Sequence, residues 1–362
     1  MANPIKRVTI VGPLPPPAGG MANQTRKLGE FLRSENVDIN IVQVNAPYRP
    51  KWIEKVPVVR AFARLISYIY VLKTELAKSD VIHIMANSGW SWHLFATPAI
   101  VIGRSLNKPV IVNYRGGYAR AFFEKSWRSV NWSLKKVQGI VVPSPFLEEV
   151  FADFGYHAEI VPNVLDEALF YPVSKPVSAQ LHVIVTRNLE AIYDVATAIQ
   201  AFALIKQKFP QAKLSVAGTG PELSSLQALV ADLTLMDDVT FTGRLGPDEM
   251  AALYQQADLM LNTSTVDNTP NSIIESLACG TPVVSTNVGG IPKLVQHEHD
   301  AYLVEVGDDK KIAEYACKII ENEEIRTNLI ENGLNTISKF YWSNVWQKLQ
   351  NCYCQAIEKN ES

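Results

Sequence analysis

A chain of 362 residues exceeds one typical core and predicts two domains, each large enough to bury its own interior. With 47% hydrophobic and 19% charged residues, the composition fits a soluble globular protein, and no stretch reaches the ~18 apolar residues that a membrane span needs. The net charge of −2 hides an asymmetry: residues 1–170 hold 20 Lys and Arg against 13 Asp and Glu, and the remainder holds 14 against 23. Such a basic half suggests an anionic partner, either a membrane surface or a lipid diphosphate, and equally fits a solvated face. Nucleic acid is not an expected partner.

In the first half, short β-rich runs alternate with helical patterns: VTIVG at 8–12, INIVQV at 39–44, VIHIM at 81–85, PVIVNY at 109–114, GIVVPS at 139–144 and EIVPN at 159–163. Strands separated by helices imply a parallel sheet covered on both faces. Val8 to Val11 is too short an apolar run for a signal peptide, and Pro13, Pro15, Pro16 and Pro17 interrupt it. Four cysteines show no metal or disulfide spacing, so a reducing cytoplasm is expected. The loop GPLPPPAGG brings Gly19 and Gly20 to a helix start near Met21, where bare backbone can approach a phosphate. Residues 50–78, with Trp52, Arg60, Arg64, Ala61, Ile66, Ile69 and Val71, form a basic amphipathic helix that either covers the sheet or lies on a membrane. NSGWSWH at 87–93 and NYRGGYAR at 113–120 follow strands. Trp90, His93 and Arg115 therefore fall at the strand ends where open α/β sheets bind ligands.

Residues 171–180, YPVSKPVSAQ, read as a linker, and the rhythm restarts beyond them. HVIVT at 182–186, KLSVAG at 213–218, VTFTG at 239–243, LMLNTS at 259–264, PVVST at 282–286 and YLVEV at 302–306 make a second strand set. Arg187, Asn188 and Glu190 follow its first strand. VAGTGPELSSL at 216–226 has Leu223 at the third glycine position of a dinucleotide fingerprint, which disfavours a nicotinamide site. The most informative stretch is DNTPNSIIESLACGTPVVSTNVGG, from Asp267 to Gly290. Its Asn268 and Thr269 can cap a helix that Pro270 begins and Gly280 ends, with Asn271 and Ser272 in the first turn. Asp267 and Glu275 bracket that start. Two carboxylates and a positive helix N-terminus suit the hydroxyls and diphosphate of a nucleotide, and an ordinary capped helix with a surface Glu fits equally.

The pair resembles the acidic Glu-x7-Glu motif of retaining GT-B glycosyltransferases, family 4 type, with Asp as its first acid. The resemblance extends through the glycine-rich loop, the Pro-Asn segment VPNVLDEALFYP at 161–172, Arg187, the Gly-x-Gly-Pro turn at 218–221 and FTGRLGPDEM at 241–250. It implies that Asp267 faces the transferred sugar, that Glu275 takes the ribose, and that Arg187 neutralises the diphosphate with Glu190 orienting it. Arg244 and Leu245 would read the base. The chain departs from the family pattern at Arg115, where many members have histidine, at Tyr193 and Asp194, where a Lys is usual, and at Lys293, where a Glu is common.

The expected architecture is therefore α/β: two Rossmann-like domains, 1–170 and 181–340, whose parallel sheets face a central cleft. A C-terminal helix, 341–362, crosses back to the first domain. The expected activity is retaining transfer of a sugar from a UDP- or GDP-linked donor to a saccharide or polyprenyl-linked acceptor. Asp267, Arg187 and Arg115 are the catalytic candidates; His93, Trp90 and Arg115 are the acceptor-binding candidates. No cofactor or metal is expected, since no Asp-x-Asp follows a suitable strand. Cytoplasmic location, with a peripheral position on the inner face of the membrane, follows from the basic half. A nucleotide-sugar 2-epimerase and a non-catalytic sugar-nucleotide-binding subunit are the rivals.

Overall fold

The structure is a computed structural model that describes residues 5–16, 20–46, 57–174 and 180–361, without the side chains of 57–63. In chain order the first elements are β1 (Arg7–Gly12), α1 (Gly20–Ser34), β2 (Asp38–Gln43), α2 (Pro57–Leu76), β3 (Val81–Ala86), α3 (Thr97–Ser105), β4 (Val110–Tyr114), α4 (Ala119–Leu134), β5 (Gly139–Val142), α5 (Pro145–Asp153) and β6 (Glu159–Ile160). There follow β7 (His182–Val185), α6 (Val195–Lys208), β8 (Lys213–Ala217), α7 (Leu223–Asp232), β9 (Val239–Gly243), α8 (Pro247–Gln256), β10 (Leu259–Asn262), α9 (Asn271–Ala278), β11 (Val283–Thr286), α10 (Ile291–Leu294), β12 (Tyr302–Val304), α11 (Asp309–Glu321), α12 (Glu323–Ile337) and α13 (Trp342–Glu361). Each of the twelve predicted β-rich runs overlaps one of these strands.

The chain divides into two compact units, one of residues 1–164 with 342–362, the other of 165–341. The first boundary thus precedes the expected 170/171, because Leu165 and Phe170 are buried in the core of the second unit. The Leu165 N–H also donates to the carbonyl of Phe340 at 2.9 Å. Of the linker, residues 175–179 lie outside the described part.

The first unit holds a parallel sheet in the order β2-β1-β3-β4-β5-β6. Its strands alternate between two apolar layers. Val8, Ile10, Val81, Ile111 and Val141 pack with α1 and with Val345, Leu349 and Tyr353 of α13. Val11, Ile82, Ile84, Val112 and Val142 pack on the other face, with residues of α2 to α5. Period-two strand geometry explains the sorting, and burial on both faces explains why β3 has no exposed position. The C-terminal helix thus returns to the first unit, as expected.

The second unit holds a parallel sheet in the order β12-β11-β10-β7-β8-β9. Renumbered within the unit this is the doubly wound order 6-5-4-1-2-3, whose direction of growth reverses between β7 and β10. In the first unit the reversal lies between β1 and β3. A crevice opens beyond the strand ends at such a reversal, because the following loops diverge to opposite faces of the sheet.

Candidate functional site

At the reversal of the second sheet, the residues following β7 meet those following β10. The Arg187 guanidinium is held on three sides: Nη2 donates to the Asp267 carboxylate, Nη1 donates to Ser272 Oγ at 3.2 Å, and the Tyr193 ring lies 4.1 Å away. Ion pairing, a hydroxyl acceptor and an aromatic face together fix the plane of the group. Tyr193 is placed by Thr263 and Thr265, beyond β10, whose hydroxyls donate to the carbonyls of Tyr193, Asp194 and Ile192. Asp194 adopts left-handed backbone at φ 42° and caps α6 through Thr197.

Two loops hold the pair from behind. Asp267 Oδ1 accepts from its neighbour's N–H, Asn268, at 2.8 Å, and the Asp267 carbonyl accepts from Gly290 N–H at 3.0 Å. A Cβ on Gly290 would stand 2.0 Å from the Asn268 carbonyl oxygen, and one on Gly218 would stand 2.1 Å from that of Arg187. The glycines following β8 and β11 are thus close-approach positions for the backbone that carries Arg187 and Asp267.

The start of α9 differs from expectation. Pro270, at φ −67° and ψ 117°, is the N-cap rather than the first helical residue, and it supplies no side-chain cap. Thr269 Oγ1 and Arg187 Nε are buried and without a partner among the described residues. Asn271 opens the helix, Ile273, Ile274 and Leu277 face the core, and Gly280 terminates the helix at φ +70°. The N-terminus of α9 therefore lies beside Arg187, through Ser272. Glu275, half-buried one turn further on, lies near enough to the buried Tyr254 hydroxyl to influence it. Burial raises the pKa of Tyr254, Glu275 raises it further, and the Thr186 hydrogen bond and Arg187 oppose them.

Glu190 does not orient Arg187. It accepts from Asn188 Nδ2 at 3.1 Å, and Asp267 takes the orienting role. Arg244 is exposed, whereas Leu245 is half-buried against the core under α8 and α9. Gly246 caps α8, with Glu249 Oε2 accepting from the Gly246 N–H at 2.7 Å.

In the first unit Gly19 lies outside the described residues, and Gly20 is the first residue of α1. Asn45, beyond β2, clamps the loop before it: Oδ1 accepts from Leu14 N–H at 2.9 Å and Nδ2 donates to the Leu14 carbonyl at 2.7 Å. Trp90 is 77% exposed, and its ring meets His93 at 6.2 Å in an edge contact. Trp92, two residues on, is wholly buried and donates to Ser133 Oγ at 3.1 Å, so its place is in the core.

Arg115, at the end of β4, donates from Nε to Asn113 Oδ1 at 3.1 Å and from Nη1 to Asn163 Oδ1. Asn113 Nδ2 lies 3.0 Å from His83 Nε2, and His83 Nδ1 lies 2.9 Å from the Tyr353 hydroxyl of α13. The Asn113 amide can only donate to His83, so the ring proton sits on Nδ1 and is shared with Tyr353. Burial lowers the His83 pKa to about 3, with Arg115 as the second cause, and burial lowers that of Arg115 to about 10.

A family model of group 1 glycosyl transferases matches residues 173–336, and a model of glycosyltransferase family 4 matches residues 8–169. The chain belongs to the group 1 glycosyltransferases. Among relatives, an N-acetyl-α-D-glucosaminyl L-malate synthase of Bacillus anthracis is 33% identical over 190 residues, covering 49% of this chain and 48% of the relative. An α-monoglucosyldiacylglycerol synthase of Streptococcus pneumoniae is 28% identical over 310 residues, or 75% and 68%. The chain thus spans about half the length of the first relative. In fold it is similar to sucrose-phosphate synthase of Thermosynechococcus elongatus, with a TM-score of 0.76, 20% identity and coverage of 98% and 100%. Anabaena HepE in complex with UDP and glucose gives 0.70, 18%, 96% and 98%. These likenesses place the chain in the GT-B architecture.

Within this glycosyltransferase, several residues of the site left no motif. Tyr193, marked only as standing where relatives carry Lys, forms the aromatic face against Arg187. Tyr254 and Thr186 meet across 68 positions. The His83–Tyr353 contact spans 270. Only the burial of a polar residue in an apolar strand, His83 within VIHIMA, hinted at such a network.

Proposed function

We propose that the chain transfers a sugar, with retention at the anomeric carbon, from a UDP- or GDP-linked donor to a hydroxyl of a saccharide or lipid-linked acceptor. The observation that carries the reading is the meeting of Arg187 and Asp267 at the strand-order reversal, beside the N-terminus of α9. In this reading the donor diphosphate lies at that N-terminus, where the helix dipole favours negative charge. As the bond from the anomeric carbon to the diphosphate breaks, charge grows on the leaving oxygen and Arg187 offsets it. The acceptor oxygen bonds to the same carbon, and its proton leaves with the diphosphate. Asp267 holds Arg187 in plane and offers its other face to sugar hydroxyls, and Glu275 takes the ribose.

The test incubates the full chain with labelled UDP- and GDP-sugars and a panel of saccharide, polyprenyl-linked, malate and diacylglycerol-type acceptors. The last two classes come from the names of the relatives. Transfer with the donor's anomeric configuration supports the reading. Donor isomerisation without transfer would favour the epimerase, and tight donor binding without turnover the non-catalytic subunit.

A peripheral position on an anionic membrane is a second element of the proposal. It is favoured by Ile66, Tyr70 and Val71, which stand exposed on one face of α2 beside Lys73, in the basic part of the chain. Co-sedimentation with phosphatidylglycerol vesicles at low salt tests it; failure to sediment removes it. Among the described residues no helix is long and apolar enough to cross a membrane.

A further inference from the structure

The first unit carries a half-buried cation whose hydrogen-bond partners are all neutral. Burying a guanidinium is costly unless its charge is met, and the usual solution is a carboxylate. Arg115 has none among the described residues: its two hydrogen-bond partners are the amide oxygens of Asn113 and Asn163. A guanidinium has five N–H donors, so these contacts leave three.

The amides are themselves fixed. Asn113 donates its other end to His83, His83 is held by Tyr353, and the chain of contacts ends on α13. Every member beyond Arg115 is neutral, His83 included, since burial and Arg115 itself disfavour its protonation. The guanidinium is thus held in one orientation while its full charge stays uncompensated. Its main chain continues the pairing of β4 with β3 past the strand ends, where Arg115 N–H donates to the Ala86 carbonyl at 2.9 Å. Polar groups adjoin it: Ser88 Oγ and the Tyr114 hydroxyl lie 2.6 Å apart beside Gly116.

We infer that Arg115 is an anchor for an anionic group, carboxylate or phosphate, on the acceptor. A planar fork with free donors matches two oxygens of either group, and the ligand supplies the counter-charge that the fold omits. The assignment of the anion to the acceptor rests on the glycosyltransferase reading; the anion site itself does not.

The test has two arms. In the first, the full chain with 15N-labelled arginine side chains is titrated with inorganic phosphate, glucuronate and glucose, and the Arg115 Nε–H signal is followed. A saturable shift with phosphate or glucuronate and none with glucose is expected, and the tighter of the two anions identifies the group. Arg115→Gln should weaken that binding at least 10-fold by calorimetry, and Arg115→Lys, which keeps charge without the fork, should fall between. Both variants are checked for an unchanged melting profile, and the signal shift in the native chain stands independently of them. Anion binding that survives in Arg115→Gln, or no shift with either anion, overturns the inference. An equal loss of UDP affinity in Arg115→Gln also overturns it, because the charge then serves the donor.

In the second arm, glucose, glucuronate and glucose 6-phosphate compete as acceptors for a labelled nucleotide sugar. Preference for a charged acceptor, erased in Arg115→Gln, supports the inference. Anion binding without any transfer sinks the glycosyltransferase reading and leaves the site standing. Transfer with equal use of glucose sinks the site alone.

Discussion

Arg187 and Asp267 lie 80 positions apart in the chain, yet the guanidinium of one donates to the carboxylate of the other at the join of β7 and β10. Their side chains are 12% and 14% exposed, so the pair is neither a surface ion pair nor a fully dry one.

Truncating one partner should therefore cost more than truncating both. Arg187→Gln and Asp267→Asn are each expected to lower stability, with a coupling of about 0.5–3 kcal/mol when the double variant closes the cycle in urea unfolding. Activity should not recover in the double variant. If Arg187 meets the leaving diphosphate, its loss lowers kcat by about 10²–10³-fold, comparable with removal of one oxyanion donor. Additive stabilities would show that solvent screens the pair.

Glu275 makes a different prediction, because the role proposed for it is to hold the ribose. A carboxylate accepting from ribose hydroxyls contributes about 1.5–3 kcal/mol, so Glu275→Ala should weaken UDP or GDP binding by roughly 10–100-fold in calorimetry while the melting temperature stays put. Undiminished nucleotide affinity would remove Glu275 from the site.

Backbone contact near the pair can be tested with a single methyl group. Gly290→Ala places a Cβ against the Asn268 carbonyl, and overpacking of this kind costs about 1–3 kcal/mol while pushing Asp267 out of line. Gly20→Ala is the control, since nothing lies within 4 Å of its Cβ, and it should change stability by no more than about 0.5 kcal/mol. Equal melting temperatures for the two variants would contradict the close approach.

His83 predicts the acid side of the stability profile. Its folded pKa, about 3, lies below the ordinary value of 6.5, so the unfolded chain takes up a proton between these limits and the folded chain does not. Stability should be independent of this group above pH 6.5, fall as pH drops below it, and level off near pH 3. At pH 5 the loss from this group is about 2 kcal/mol. His83→Gln should flatten that limb in urea unfolding at pH 7.5 and pH 5. A variant with the same acid slope as the native chain would place the titration elsewhere.

The periodic part of the architecture was legible because alternation and helical spacing are local. Every β-rich run became a strand, and the Gly280 stop followed from residue type and pattern, whereas the return of the C-terminal helix was implied by the family resemblance. The electrostatic part was less legible, since it depends on contacts between loops that spacing does not encode. Pro270 reads as a first helical residue by its fixed φ, yet its extended ψ makes it the cap. Glu190 reads as a partner for Arg187 by proximity in sequence, but Asn188 is nearer and Asp267 arrives from another strand. The neutral shell of Arg115 needed β3, β4, the Pro-Asn segment and α13 together.

The return of α13 also sets the order in which the protein can form during synthesis. Leu349 and Tyr353 complete the layer that covers Val8, Ile10 and Ile111, and they emerge from the ribosome after the whole of residues 165–341. The part of the chain made first is therefore finished last. The first sheet waits with one face uncovered until then, so a chain whose synthesis stops near Tyr341 would lack the helix that closes the unit it began with.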